Sequence, residues 1–396
     1  MRTILGSKTR HEAQPDAPRD SVTLRGLLLL VFCLPILLPV LGAEELKTKN
    51  ILLVTVDGLR AQELFEGIDP ILLADKEKAG IKDLGLLRKK YWRETPHERR
   101  KALLPYFWNT LAPQGIVLGN KALGSRALLK NKLHFSYPGY AELLTGEPQV
   151  SVRSNDKVRI GTRTILEFIR ERLDLERTEV AAFASWDVFN FITSSQKTAI
   201  FSNAGYETVP AEFSSPEMRQ LDKLQHTMLT PWDSVRHDAM TAALARAYVK
   251  KHKPRILYLA LGETDDWAHE RRYDRVIATA RLFDQELETL WTGLQSSEVY
   301  RDKTTLLITT DHGRGRTTEN WTDHGKDVPG AEEIWIAVMG PDTQNLGEIG
   351  PTPTVYLSGL AALMLYYLEL PYEEYNSEID SSLLDLMKRS KTSKDE

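Results

Sequence analysis

Short apolar runs alternate with segments of helical period along most of this chain. Residues 50–56 (NILLVTV) are apolar with β-branched members and stop at Asp57-Gly58, the pattern of a strand buried on both faces. Comparable runs fall at 115–118, 179–183, 255–261, 304–309 and 333–339. Between most of them, apolar positions return at intervals of three and four over 163–175, 233–251, 274–294 and 355–370, predicting amphipathic helices. Strands alternating with helices predict an α/β fold with a mostly parallel central sheet flanked by helices on both faces.

Three segments interrupt this rhythm. Residues 61–106 are charged and helix-prone, broken by Trp92 and Pro96, and read as a helical insertion beside the site. The end of the chain, 373–396, turns polar and closes in KRSKTSKDE, so a frayed tail is expected. Near the start, 26–43 (GLLLLVFCLPILLPVLGA) is strongly apolar, follows Arg25, contains Pro35 and Pro39, and ends in small residues before Glu44. It reads as a secretory signal peptide, with an uncleaved membrane anchor as the alternative. Residues 44–372 show no linker-like composition shift, which predicts one domain.

Composition changes this picture in two ways. With 51 Lys plus Arg against 55 Asp plus Glu, the 396-residue chain carries a net charge of −4, so it lacks the basic field that nucleic-acid binding needs. The one cysteine, Cys33, lies inside the apolar run, which excludes thiol catalysis and a disulfide framework for everything after it. A cysteine-free exported protein fits a periplasmic or extracellular location.

Ligands of open α/β sheets bind beyond the carboxyl ends of the strands, so polar residues just after the apolar runs are the candidates for chemistry. Three runs deliver them: Asp57 after 50–56, Gly262-Glu263-Thr264-Asp265 after 255–261, and Asp311-His312 after 304–309. His269 stands four residues beyond Asp265, on the same side of a helical turn, and His324 adds a third imidazole. Three carboxylates and three histidines form an oxygen and nitrogen set suited to zinc, with manganese or magnesium also compatible, and their number suits two divalent ions. Each residue alone also reads as a cap or turn residue, and the set is what points to metal. Ser136, in HFSYPGY ahead of a helix-like stretch, falls at a predicted helix N-terminus that favours an anionic oxygen.

The ordered motifs VTVDGLR, FSYPGYAELLTG, ETDDWAH and TTDHG resemble the alkaline phosphatase superfamily, most nearly its type I phosphodiesterase/nucleotide pyrophosphatase-like members, over about residues 49–368. The resemblance implies that Asp57, Asp311, His312 and the Ser136 oxygen hold one metal ion and Asp265, His269 and His324 another. It further implies that Ser136 is the nucleophile of a phosphoric ester hydrolase and that Asn155 contacts a phosphoryl oxygen of the substrate. Phosphomonoesterase, sulfatase and envelope phosphotransferase chemistry use the same cage, as would a silent metal-containing binding protein. Against a sulfatase stands Tyr140, which occupies the place of the Arg in the C/S-x-P-x-R box.

Overall fold

A computed structural model describes residues 45–392. The signal-peptide or anchor segment 26–43, and Cys33 with it, lies outside the described residues. In chain order the strands are β1 Asn50–Val56, β2 Gly115–Leu118, β3 Ala127–Leu128, β4 Val180–Ala184, β5 Phe201–Ala204, β6 Ile256–Leu261, β7 Thr304–Thr309, β8 Glu333–Ile334, β9 Ile336–Met339, β10 Gly347–Glu348 and β11 Val355–Tyr356. Eight of them form the central sheet in the order β10-β2-β9-β7-β1-β6-β4-β5, and β11-β3-β8 make a small second sheet. Strands β7, β1, β6, β4 and β5 run parallel, while β9 is antiparallel to both its neighbours.

All seven residues of β1 are buried, because β6 and β7 flank it and both sheet faces are covered. Its side chains alternate between two cores. Leu52, Val54 and Val56 join one, and Ile51 and Leu53 join the other. The first core is closed by α1 Ala61–Glu66, α2 Pro70–Ala74, α3 Leu84–Tyr91 and α4 Pro96–Leu103, and later by α9 and α11. The second is closed by α5 Ser136–Thr145, α6 Ile165–Arg172 and α7 Phe189–Ile192, and later by α12 and α13. The remaining helices are α8 Pro216–Gln225, α9 Asp238–His252, α10 Glu263–His269, α11 Tyr273–Gln295, α12 Gly359–Tyr367 and α13 Ser382–Thr392.

The expected insertion carries four short helices, α1 to α4, joined by non-helical stretches at 67–69, 75–83 and 92–95. Trp92 ends α3, and Thr95 opens α4 with a reciprocal capping box to Glu98 just before Pro96 at the first helical position. Two expectations need correction. Residues 355–356 pair as β11 instead of opening a helix, and α12 begins only at Gly359. The polar tail is not frayed through residue 392: α13 buries Leu383, Leu384 and Met387, whose spacing puts them on one helical face against the second core.

Candidate metal centre and active site

The register of the central strands sets Thr55 of β1 beside Ala260 of β6 and Thr309 of β7. The residues that follow these three strands therefore emerge together. Asp57, Asp311 and His312 are buried there, with ligand atoms all within 4.8 Å of one another. His312 Nε2 lies 3.3 Å from Asp57 Oδ1 and 3.5 Å from Asp311 Oδ2, while its Nδ1 is 2.9 Å from the Gly313 carbonyl. Donation from Nδ1 to that carbonyl points Nε2 toward the carboxylates. The Gly58 N–H donates to Asp311 Oδ1 at 3.1 Å and the Tyr140 hydroxyl to Asp57 Oδ2 at 2.9 Å.

That leaves Asp57 Oδ1 and Asp311 Oδ2 buried without a hydrogen-bond donor. Two desolvated carboxylate oxygens side by side need a positive charge between them. The titration of the group shows the same need. Burial and the neighbouring Asp57 push Asp311 up to about 8; burial opposes charge on His312, but Asp311 and Asp57 outweigh it and push the imidazole up to about 9. The donor set fits a divalent cation.

Ser136 is the first residue of α5, whose opening turn presses on the same centre. Its Oγ lies 3.3 Å from His312 Nε2. Gly139 makes this approach possible, since a Cβ there would sit 2.4 Å from the Asp311 carbonyl oxygen. Glu142, one turn on and fully buried, accepts from the Lys130, Asn131 and Ser358 N–H groups and so fixes the helix to the turn that precedes it. Asn155 accepts from the Tyr137 N–H through Oδ1 at 3.0 Å, which leaves its amide as a donor beside Ser136 at the cavity wall. The imidazole beside Ser136 is His312.

Asp265, His269 and His324 gather on the other side of His312. His269 Nε2 is 3.1 Å from Asp265 Oδ2 and 3.0 Å from His324 Nε2, and His312 Nε2 is 3.6 Å from Asp265 Oδ1. Burial holds both His324 and His269 below the ordinary imidazole range, so both present neutral nitrogens. Arg314, fully buried, donates to Asp265 Oδ1, to the Asp265 carbonyl at 3.2 Å and to the Thr322 carbonyl. Gly58, at φ +59°, clears the space: a Cβ there would lie 2.8 Å from both Arg314 Nε and Asp265 Oδ1. Asp266 lines the cavity, where burial and the nearby carboxylates of Asp57 and Asp238 push it up to about 8.

The cavity holds about 200 Å³ and is lined by Ser136, Asn155, Asp57, Asp265, Asp266, His269 and His324 together with Trp186, Ser234, Val235 and Gly262. Residues 61–106 do not line it, which corrects the placement of the insertion beside the site. Trp321 is core, packed on Tyr273. Trp267 is half-buried and stacks edge-on against Trp232 at 4.7 Å. Three site residues escaped the sequence reading of function. Tyr140 carried no signal beyond being the wrong residue for a sulfatase box, Trp186 carried none, and Arg314 stood in plain view as a charge two residues after the strand-end His312.

The overall architecture superposes on the 2-O GAG sulfatase BT1596 with a TM-score of 0.51, at 14% sequence identity, over 82% of this chain and 71% of that one. It superposes on the lipoteichoic acid synthase LtaP from Listeria monocytogenes with a TM-score of 0.51, at 11% identity, over 82% of this chain and 72% of that one. The fold is alkaline phosphatase-like. The resemblance carried by the four motifs is thus supported at the level of architecture. No protein-family profile matches the chain, and no curated protein matches it by sequence.

Proposed function

We propose that this protein is an exported, metal-dependent hydrolase of phosphoric diesters that works through Ser136. The observation that carries the reading is the placement of the Ser136 hydroxyl at the N-terminus of α5, 3.3 Å from His312 Nε2 and facing the cavity, beside two buried carboxylate oxygens that lack donors. Asp57, Asp311, His312 and Ser136 would hold one divalent ion, with zinc best suited to this donor set, and Asp265 Oδ2, His269 and His324 a second. Bound there, divalent ions lower the pKa of the serine hydroxyl and offset the charge that develops on the phosphoryl group.

The chain supplies the rest. Ser136 Oγ, giving up its proton to solvent, attacks phosphorus, an Oγ–P bond forms as the bond to the leaving alcohol breaks, and that alcohol's oxygen takes up a proton; water then cleaves the Oγ–P bond of the seryl ester, which still carries the second ester group, regenerating the hydroxyl and releasing a phosphomonoester. The Ser136 N–H and the amide of Asn155 would receive the phosphoryl oxygens, since the Tyr137 N–H is given to Asn155, Pro138 has none and the Gly139 N–H goes to the Phe135 carbonyl. No lysine or arginine lines the cavity among the described residues, and Trp186 and Val235 bring apolar surface to its wall. That wall suits the second ester group of a monoanionic diester better than the extra charge of a monoester dianion. Tyr140, engaged with Asp57, does not restore the sulfatase box.

The apolar run 26–43 supports export, and N-terminal sequencing of the secreted protein checks it. For the activity, the test is the ratio of nitrophenyl phosphodiester to monoester hydrolysis by zinc-loaded protein. A diester preference that vanishes in Ser136→Ala is the expected result.

A further inference from the structure

The two groups of ligands differ in the charge they offer a bound ion. Asp57 and Asp311 bring two carboxylates, and their other oxygens are satisfied by neutral donors, the Tyr140 hydroxyl and the Gly58 N–H. Asp265 is the one carboxylate of the second group, and the guanidinium of Arg314 sits directly on its Oδ1. His269 and His324 add no charge to it. Other cations nearby are already matched: Arg60 is paired with Glu63 and Asp69. Nor can Arg314 swing aside easily. Its side chain is 2% exposed, and Thr322 and Asp265 carbonyls hold the fork.

We infer that Arg314 is a built-in counter-cation that makes the Asp265–His269–His324 centre the weaker of two metal sites, so that the protein fills the Asp57–Asp311–His312 centre first and the second only at higher metal concentration. The inference rests on the metal-cage reading proposed above. Its physical basis is that a divalent ion, once bound in the first centre with His312 as a neutral ligand, faces two carboxylates that carry no cation of their own, whereas one bound in the second faces a carboxylate whose charge is already offset within hydrogen-bond distance. In a buried site with little water to screen them, these charges count for far more than at a surface. Arg314 is also the residue that turns Asp265 Oδ2 toward His269, so its charge and its geometry act in opposite senses on the same centre. The inference holds that charge prevails.

The test is a titration of the metal-stripped full chain with zinc chloride, by chelator competition or calorimetry. Wild type should take up two ions in two steps whose dissociation constants differ by at least about thirtyfold. Arg314→Met, close in volume and uncharged, should tighten the second step by at least about tenfold and leave the first within about threefold. Arg314→Lys keeps the charge and should leave the second step weak. Equal steps in wild type, an unchanged or weaker second step in Arg314→Met, or a tightened one in Arg314→Lys would each overturn the inference. Should Arg314→Met fail to fold by circular dichroism, the wild-type and Arg314→Lys titrations still decide. Asp57→Asn and Asp265→Asn separate the two levels: if neither alters zinc uptake, the metal cage itself is refuted, and the assignment of Arg314 goes with it.

Discussion

The two halves of the site are built differently. Asp57, Asp311 and His312 stand directly at the ends of β1 and β7, neighbouring strands in the middle of the sheet, and their side chains are at most 7% exposed. Asp265 and His269 ride on α10, His324 on an irregular loop, and the His269 side chain is 50% exposed. A ladder of hydrogen bonds fixes the first group, so its geometry is as stiff as the sheet. The second is held by a seven-residue helix, a loop and one arginine. Preorganisation and negative charge are concentrated on the side where Ser136 lies, which is where a nucleophile must be held and ionised.

Breaking the stiff half should have the largest effect. Asp311→Asn removes one of two carboxylates around Ser136 and is expected to lower kcat/KM for a nitrophenyl diester by at least about a thousandfold, with loss of the tighter zinc step. His269→Ala cuts the exposed half, and a loss of about ten- to a hundredfold is expected, read in the same assay at fixed metal. If His269→Ala matched Asp311→Asn in severity, the contrast between the halves would fail. Tyr140→Phe removes only the donor to Asp57 Oδ2 and should weaken the first zinc step by about tenfold while activity at saturating metal stays within a few fold.

The smallest expected effect lies just behind the second centre. Asp238 accepts from the N–H groups of Gly262 and Glu263, which hold the start of α10, and burial followed by the charge of Glu263 pushes it from 3.8 up to about 8. A carboxyl raised in the folded state favours folding fully below its unfolded pKa, and that contribution is lost as pH rises through the folded value. The melting temperature should therefore fall between about pH 5 and pH 9, and less steeply in Asp238→Asn than in wild type. An identical slope in both proteins would remove Asp238 from the explanation.

Much of this contrast was legible in the sequence because ligands that follow apolar runs inherit their positions from the strands. The bounds of β1, β2 and β7 coincide with the apolar runs, and Asp57, Asp311 and His312 come immediately after them. What the sequence hides is work done by contact at a distance. Tyr140 lies 83 residues from Asp57 and Arg314 49 residues from Asp265, and no local pattern announces either bond. Strands β3, β8, β10 and β11 are two residues long, too short for a period of two to register. Helix α13 was hidden by composition: Leu383, Leu384 and Met387 make a buried face in a segment whose other residues are mostly polar. The insertion was legible as helical, yet its place was not, since packing on the first core rather than beside Ser136 is decided by α1 to α4 meeting the sheet.

The central claim is that Ser136, set in the stiff half of the cage, is the nucleophile toward a phosphoric diester. The most direct measurement is hydrolysis of a nitrophenyl phosphodiester and its matching monoester by zinc-loaded wild type and Ser136→Ala, with zinc uptake titrated in parallel. The account predicts a clear diester preference in wild type, loss of turnover in Ser136→Ala, and two ions still bound by that variant. Full diester turnover by a metal-loaded Ser136→Ala protein would contradict it.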